Sequence, residues 1–166
     1  CVLATAAVNA ILEKYPQCEM TWITTQVIAD MLSGMPKVKF VIIEKPSSLP
    51  DYWNIYKKLR GYEFDILLAA QASLRANFIY PLIRAARKIG FDDHRARDGH
   101  NFFVTEQISS GNDHLAEGFM RFAELLDAQS KKYNWYIHTN LNIAENIGEP
   151  VFVLNVSASK KERNWH

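Results

Sequence analysis

No glycine-rich phosphate loop is written in this chain. Neither G-x-G-x-x-G nor G-x-x-x-x-G-K-[ST] occurs, and G-x-S-x-G and C-x-x-C are missing too. Those absences remove the dinucleotide fingerprint, the P-loop, the nucleophile elbow and the dithiol redox pair as sources of chemistry. Cysteine is scarce, with only Cys1 and Cys18 in 166 residues, too few for a disulfide framework, so reduced thiols are the simpler account. No apolar run reaches bilayer-spanning length, and the first residues lack the basic start and cleavage pattern of a signal peptide. A soluble, cytoplasmic protein is the expectation. An excess of one charge is absent as well: 19 Lys+Arg stand against 18 Asp+Glu, a net charge of +1. Nucleic acid is therefore not an expected partner, and any anion chemistry must be local.

What the chain does have is apolar material, 48% of its residues, enough for a buried core. Val2, Leu3, Ala6, Ala7, Ala10 and Ile11 recur at helical spacing and the pattern stops at Tyr15-Pro16. EMTWIT (19–24) reads as a strand, followed by a helix QVIADML with Thr24 or Thr25 as its cap. KFVIIEK (39–45) is a second strand, and DYWNIYKKLRG a helix capped by Asp51 and closed by Gly61. FDILLAA (64–70) has the continuous apolar character of a strand buried on both faces. SLRANFIYPLIRAAR follows as a helix capped by Ser73 and kinked or split by Pro81, and RKIGFD (87–92) is another strand. This alternation predicts an α/β fold, a mostly parallel sheet with helices on both faces. A further helix lies in SGNDHLAEGFMRFAELLDAQ, and VFVLNV (151–156) reads as a last strand.

Three loops could carry chemistry. SASKKER (157–163) follows a strand directly and combines hydroxyls with cations, a setting for an anion; a solvated basic turn is the alternative. FDDHRARDGH (91–100) holds Arg95 and Arg97, which could grip phosphate or carboxylate in a forked geometry, or be neutralised by Asp92, Asp93 and Asp98. His94 and His100 match no known metal-ligand spacing, so no metal is expected. AAQASLRA (69–76) places Gln71 and Arg75 at a strand-to-helix turn, where a helix N-terminus favours anions; capping by Ser73 with a surface arginine is the plainer account. His114 reads as a surface or packing residue.

Taken together, the helix and strand VLATAAVNAILEKYPQCEMTWIT, then FDILLAAQASLRANF, RKIGFDDHRARDG, the HLAEGFMRF helix and VFVLNVSASKKERNWH resemble the ADP-heptose-using heptosyltransferases of lipopolysaccharide core assembly, glycosyltransferase family 9. The resemblance covers nearly the whole chain. It implies a GT-B enzyme truncated at both ends: residues 1–130 an acceptor-binding Rossmann-like domain lacking its first strand, 131–150 an interdomain connection, and 151–166 the start of the nucleotide-sugar domain. The implied reaction is inverting and metal-independent, without a cofactor, moving heptose from ADP-L-glycero-D-manno-heptose to a Kdo or heptose hydroxyl of the inner core. The partners would be the ADP-heptose donor and Kdo2-lipid A or its heptosylated form, met at the cytoplasmic face of the inner membrane. A non-catalytic Rossmann-like nucleotide-binding module, or a relative using another sugar, is the alternative.

By the same resemblance Ser157, Ser159 and Arg163 would hold the donor diphosphate, Arg163 standing where lysine is usual. Gln71, Arg75, Arg95, Arg97 and His114 would face the acceptor. The catalytic aspartate is expected just before Cys1. Gly118 occupies a helix position where arginine is common, which would remove an acceptor contact. The expected opening strand pairs near the middle of the sheet and buries roughly five apolar side chains at about 2 kcal/mol each, comparable to a domain's net stability. Urea denaturation should therefore show a version carrying an upstream apolar strand to be several kcal/mol more stable than one starting at Cys1; equal midpoints would refute the missing-strand expectation.

Overall fold

Pro16 removes an amide donor and its ring blocks helical continuation, so the first helix, α1 (Val2–Lys14), ends two residues before it. The computed structural model describes residues 2–111 and 114–129; the expectations for residues 130–166, including the strand 151–156, lie outside the described residues. After α1 come β1 (Met20–Thr24), α2 (Gln26–Met31), β2 (Val38–Ile42), α3 (Leu49–Leu59), β3 (Glu63–Ala69), α4 (Leu74–Asn77) and β4 (Arg84–Gly90). The short β5 (Glu106–Gln107) and α5 (Leu115–Glu124) complete the order, with single 3-10 turns at Tyr80–Leu82 and His100–Phe103.

Every strand pairing among the described residues is parallel. β1 runs beside β2 with Met20 opposite Val38 and Thr24 opposite Ile42. β3 runs beside β4, Glu63 opposite Arg84 and Ala69 opposite Gly90, and β5 extends β4 with Ile89 opposite Glu106. The sheet is thus in two pieces, and β1 and β3 share no backbone ladder. Side chains join the pieces instead: Trp22 of β1 and Ile66 and Leu68 of β3 pack into one cluster with Ala4, Ile89, Phe91, Phe119 and Phe122.

The period of two along each strand sorts the layers. Met20, Trp22, Val38 and Phe40 meet α1 and the end of α2 at Leu32 and Met35, while Ile66 and Leu68 meet α1 and α5. On the opposite face Ile23, Val41 and Leu67 pack against Ile55 and Leu59 of α3. Helices thus cover both faces, as the alternation predicts.

Four local readings need correction. Helix α3 starts at Leu49 rather than after Asp51: Ser48 is the N-cap and Asp51 is the third helical residue. The Asp51 carboxylate accepts from the amides and hydroxyls of Ser47 and Ser48 at 2.8–3.0 Å, and these bonds hold it down at about 2. β2 stops at Ile42, although the Ile43 amide still reaches the Thr24 carbonyl at 2.8 Å. The helix expected over 73–87 is only α4 and a 3-10 turn, because Pro81 starts a new turn and residues 84–86 are already in β4. Finally, β3 is half-buried rather than buried throughout, with Glu63 and Asp65 exposed, as befits a strand with one edge unpaired among the described residues.

Phe122 is the largest fully buried side chain among the described residues and sits edge-on to Phe91, ring centroids 5.1 Å apart. Phe122→Ala should cost about 3–5 kcal/mol by urea unfolding; a loss under 1 kcal/mol would show that α5 does not seal the core.

Candidate functional site

The sheet's carboxyl-terminal pole is built from two turns, one after β3 and one after β4. Residues 70–73 carry the chain from β3 into α4. Their path is fixed by Tyr80, whose buried hydroxyl donates to the Gln71 carbonyl at 2.6 Å and accepts from the Gln71 amide at 3.2 Å. Burial pushes that phenol well above its ordinary range, so it stays a neutral hydroxyl able to both donate and accept. Gln71 itself is exposed. Ser73 caps α4 as expected, accepting from the Ala76 amide.

The anion expected at this helix N-terminus turns out to be the chain's own. The Leu74 amide donates to Asp98 Oδ2 at 2.9 Å, which joins the second turn to the first. Asn77, fully buried, donates from Nδ2 to the carbonyls of Arg97 and Asp98, both at 3.1 Å. Its Oδ1 lies 2.8 Å from Nδ1 of His100, while His100 Nε2 accepts from the Phe91 amide at 3.2 Å. An acceptor role for Nε2 assigns the proton to Nδ1, which then donates to Asn77. Asp98 and Gly99 turn the chain in the left-handed region, φ 54° and 72°, which glycine adopts freely and aspartate tolerates.

The loop's carboxylates are distributed unequally. Asp92, almost wholly buried, pairs with Arg95 Nη1 and accepts from the Arg95 amide at 3.0 Å. Asp93 accepts from Asn101 at 2.6 Å and Gln107 at 3.2 Å. Arg95 and Arg97 therefore do not form a fork: Arg95 is committed to Asp92, whereas Arg97 is exposed and has no ion pair among the described residues. The same holds for Arg75 on α4. His114 is the N-cap of α5, its Nδ1 accepting from the Ala116 amide at 3.3 Å. One turn on, Gly118 supports the Arg95 guanidinium so closely that a Cβ there would lie 2.7 Å from Nε. Gln71, Arg75, Arg95, Arg97 and His114 thus gather around one pole, with Arg75, Arg97 and Gln71 facing solvent.

No group of three metal-ligating side chains occurs among the described residues, and both His100 ring nitrogens already have partners. Ser157, Ser159 and Arg163 lie outside the described residues. Sequence reasoning missed Tyr80 and Asn77; their signal was faint, a tyrosine and an asparagine inside an apolar stretch with no polar neighbour to serve.

Burial holds the His100 pKa below its ordinary value, so the unfolded chain takes up this proton before the folded one. Stability should accordingly fall as pH drops below about 6.5 toward the lower folded value. His100→Gln should flatten the pH slope of the unfolding free energy below pH ~6.5; an unchanged slope would assign it to other groups.

The profile of glycosyltransferase family 9 (heptosyltransferase) matches residues 52–166. The lipopolysaccharide core heptosyltransferase OpsX of Haemophilus influenzae is 30% identical over 169 residues, 98% of this chain and 49% of that protein. The chain thus spans about half the length of its curated relative. Among solved structures, E. coli heptosyltransferase WaaC with ADP superposes with a TM-score of 0.64 at 17% identity, over 77% of this chain and 44% of that one. A glycosyl transferase family 9 protein from Veillonella parvula gives 0.68 at 13% identity, covering 82% and 40%. At such identities the structural likeness speaks for the fold alone.

Proposed function

Because the chain belongs to glycosyltransferase family 9, we propose that it is the acceptor-binding part of a lipopolysaccharide core heptosyltransferase. The observation that carries this reading is the pair Arg75 and Arg97, two exposed guanidinium groups without carboxylate partners among the described residues, placed at the ends of adjacent parallel strands. Ligands of open α/β sheets gather at that pole, and planar guanidinium groups suit the carboxylates and phosphates of an inner-core acceptor. The relative named above is itself a lipopolysaccharide core heptosyltransferase, and one structural neighbour carries ADP.

The finer reading is an inverting, metal-independent transfer of heptose from ADP-heptose to a Kdo or heptose hydroxyl. Residues 1–130 form the acceptor domain, 131–150 the connection, and 151–166 open the donor domain, where Ser157, Ser159 and Arg163 hold the diphosphate. A cation there offsets charge developing on the departing ADP without moving a proton. The base is an aspartate upstream of Cys1, at the end of a strand that fits between β1 and β3, which share no ladder among the described residues. The reaction takes place in the cytoplasm, at the inner membrane where the acceptor resides.

The test joins this chain to upstream and donor-binding regions of the size found in its relatives, and supplies ADP-heptose with heptose-deficient lipopolysaccharide. Mass spectrometry should show the addition of one heptose. Arg75→Ala and Arg97→Ala should each lower kcat/KM for the acceptor about 10- to 100-fold while leaving ADP affinity unchanged. ADP binding without any transfer would favour a non-catalytic nucleotide module.

A further inference from the structure

We infer that the aromatic flank of α3, continued by α4 and the His100–Phe103 turn, is a docking surface for an anionic lipid bilayer. This deepens the transferase reading by naming where the acceptor's membrane is met, and its test reads vesicle binding and not transfer, so the two readings can fail separately. Leu49, Trp53, Leu74, Phe78 and Phe102 are 85, 60, 55, 49 and 91% exposed. Single exposed apolar residues are ordinary, but contiguous ones are not.

Ring contacts link the elements that carry them. Leu49, Tyr52, Trp53 and Tyr56 follow one another at helical spacing along α3, whose other side buries Ile55 and Leu59 against the sheet. The Trp53 and Tyr56 rings lie 5.3 Å apart. Tyr52 meets Phe78 edge-on at 6.2 Å, and Phe78 meets Phe103 at 5.8 Å. The Tyr52 hydroxyl also lies 3.4 Å from the Arg75 carbonyl, linking this surface to the candidate acceptor pole. Leu74 stands one helical turn before Phe78, and Phe102 adjoins Phe103.

Chemistry selects the occupant. Tryptophan and tyrosine have an apolar body and a polar tip, the combination favoured at headgroup level. The flank is bordered by cations: Lys57 in the last turn of α3 and Arg60 just after it, with exposed Arg75 and Arg97 nearby, while Lys58 donates to the Ile42 carbonyl. The single acid of α3, Asp51, is already engaged by Ser47 and Ser48. An apolar aromatic surface framed by lysine and arginine complements acyl chains beneath anionic phosphates. With 11 residues, α3 can only lie along a bilayer, since no helix among the described residues is long and apolar enough to cross one.

The experiment is co-sedimentation of the full chain with vesicles of phosphatidylcholine, or of equal parts phosphatidylcholine and phosphatidylglycerol, at physiological salt. Binding should be strong on the anionic mixture and weak on the neutral lipid. Trp53→Ser combined with Phe102→Ser, both exposed and so compatible with folding as checked by circular dichroism, should lower the partition coefficient roughly tenfold or more. Lys57→Glu with Arg60→Glu should lower it by a similar factor on anionic vesicles only, and added salt should mimic that loss. Equal binding by parent and variants, or no binding to either vesicle, would overturn the inference. So would a concentration-dependent dimer abolished by Trp53→Ser, which would assign the surface to a second copy. Acrylamide quenching unaffected by Trp53→Phe in vesicle-free solution would also overturn it, by placing Trp53 under another part of the chain.

Discussion

The close approach of α1 to its neighbours is the constraint on which the rest of the structure depends. Ala6, Ala7 and Ala10 present almost no side chain, which lets α1 lie against Met120, Ala123 and Ala128 at the carboxyl-terminal side of the described fold. The same cluster reaches Met20 of β1 and Leu68 of β3. One small-residue surface therefore binds α5 and both pieces of the sheet together. Together with the Trp22, Ile66 and Leu68 cluster, it gives the β1–β2 pair and the β3–β4–β5 set a shared core where no backbone ladder joins them among the described residues. A helix buried from Ala4 to Leu12 is what a sequence apolar on nearly every side requires.

That constraint places chemistry at one end. Parallel pairing sends β3 and β4 to the same pole, and the turns leaving them are tied by the Leu74–Asp98 and Asn77–Arg97 hydrogen bonds. Several backbone groups there are engaged internally: by Tyr80 at Gln71, by Ser73 and Asp98 at the start of α4, by His100 at Phe91. The side chains of Arg75, Arg97 and Gln71 stand exposed at that pole. A pole braced by these bonds positions such groups at little cost in ordering when a ligand binds.

Much of this was legible in the sequence because it depends on local rules. Pro16 stops α1, Ser73 caps α4, and the alternation of apolar runs gives a parallel α/β sheet with both faces covered. Where reading failed, the deciding contact was distant in sequence. Ser48 rather than Asp51 caps α3 because the carboxylate serves better from the third position, reaching back to two serines. The helix expected after Ser73 is cut short because residues from Arg84 onward gain more by pairing with β3 than by continuing a turn interrupted by Pro81. Tyr80 could not be recognised as the clamp on Gln71, since only the fold brings them together across nine residues. The candidate arginines were identifiable by type and location, but not their fates: nothing in DHRARD says that Asp92 takes Arg95 and leaves Arg97 to solvent.

Gly118 shows how far position-by-position reading can mislead. Comparison with the family pattern suggests a guanidinium lost from α5, since arginine is common where this chain has glycine. In space, the gap is filled. The Arg95 guanidinium, arriving from the loop after β4, rests on Gly118 at a distance that leaves no room for even a methyl group. Gly111 and Arg121 repeat the arrangement, the Arg121 guanidinium occupying the space beside a glycine while its Nη1 bonds the Ser109 carbonyl at 2.6 Å. In both places glycine matters for the volume it leaves, not for backbone freedom. A cation contributed by a loop and seated on a helix is equivalent in charge to one carried by the helix, but it is additionally held by Asp92. Pairing with Asp92 and the contact with Gly118 make Arg95 a brace between loop and helix, whereas Arg75 and Arg97 are exposed and have no ion pair among the described residues.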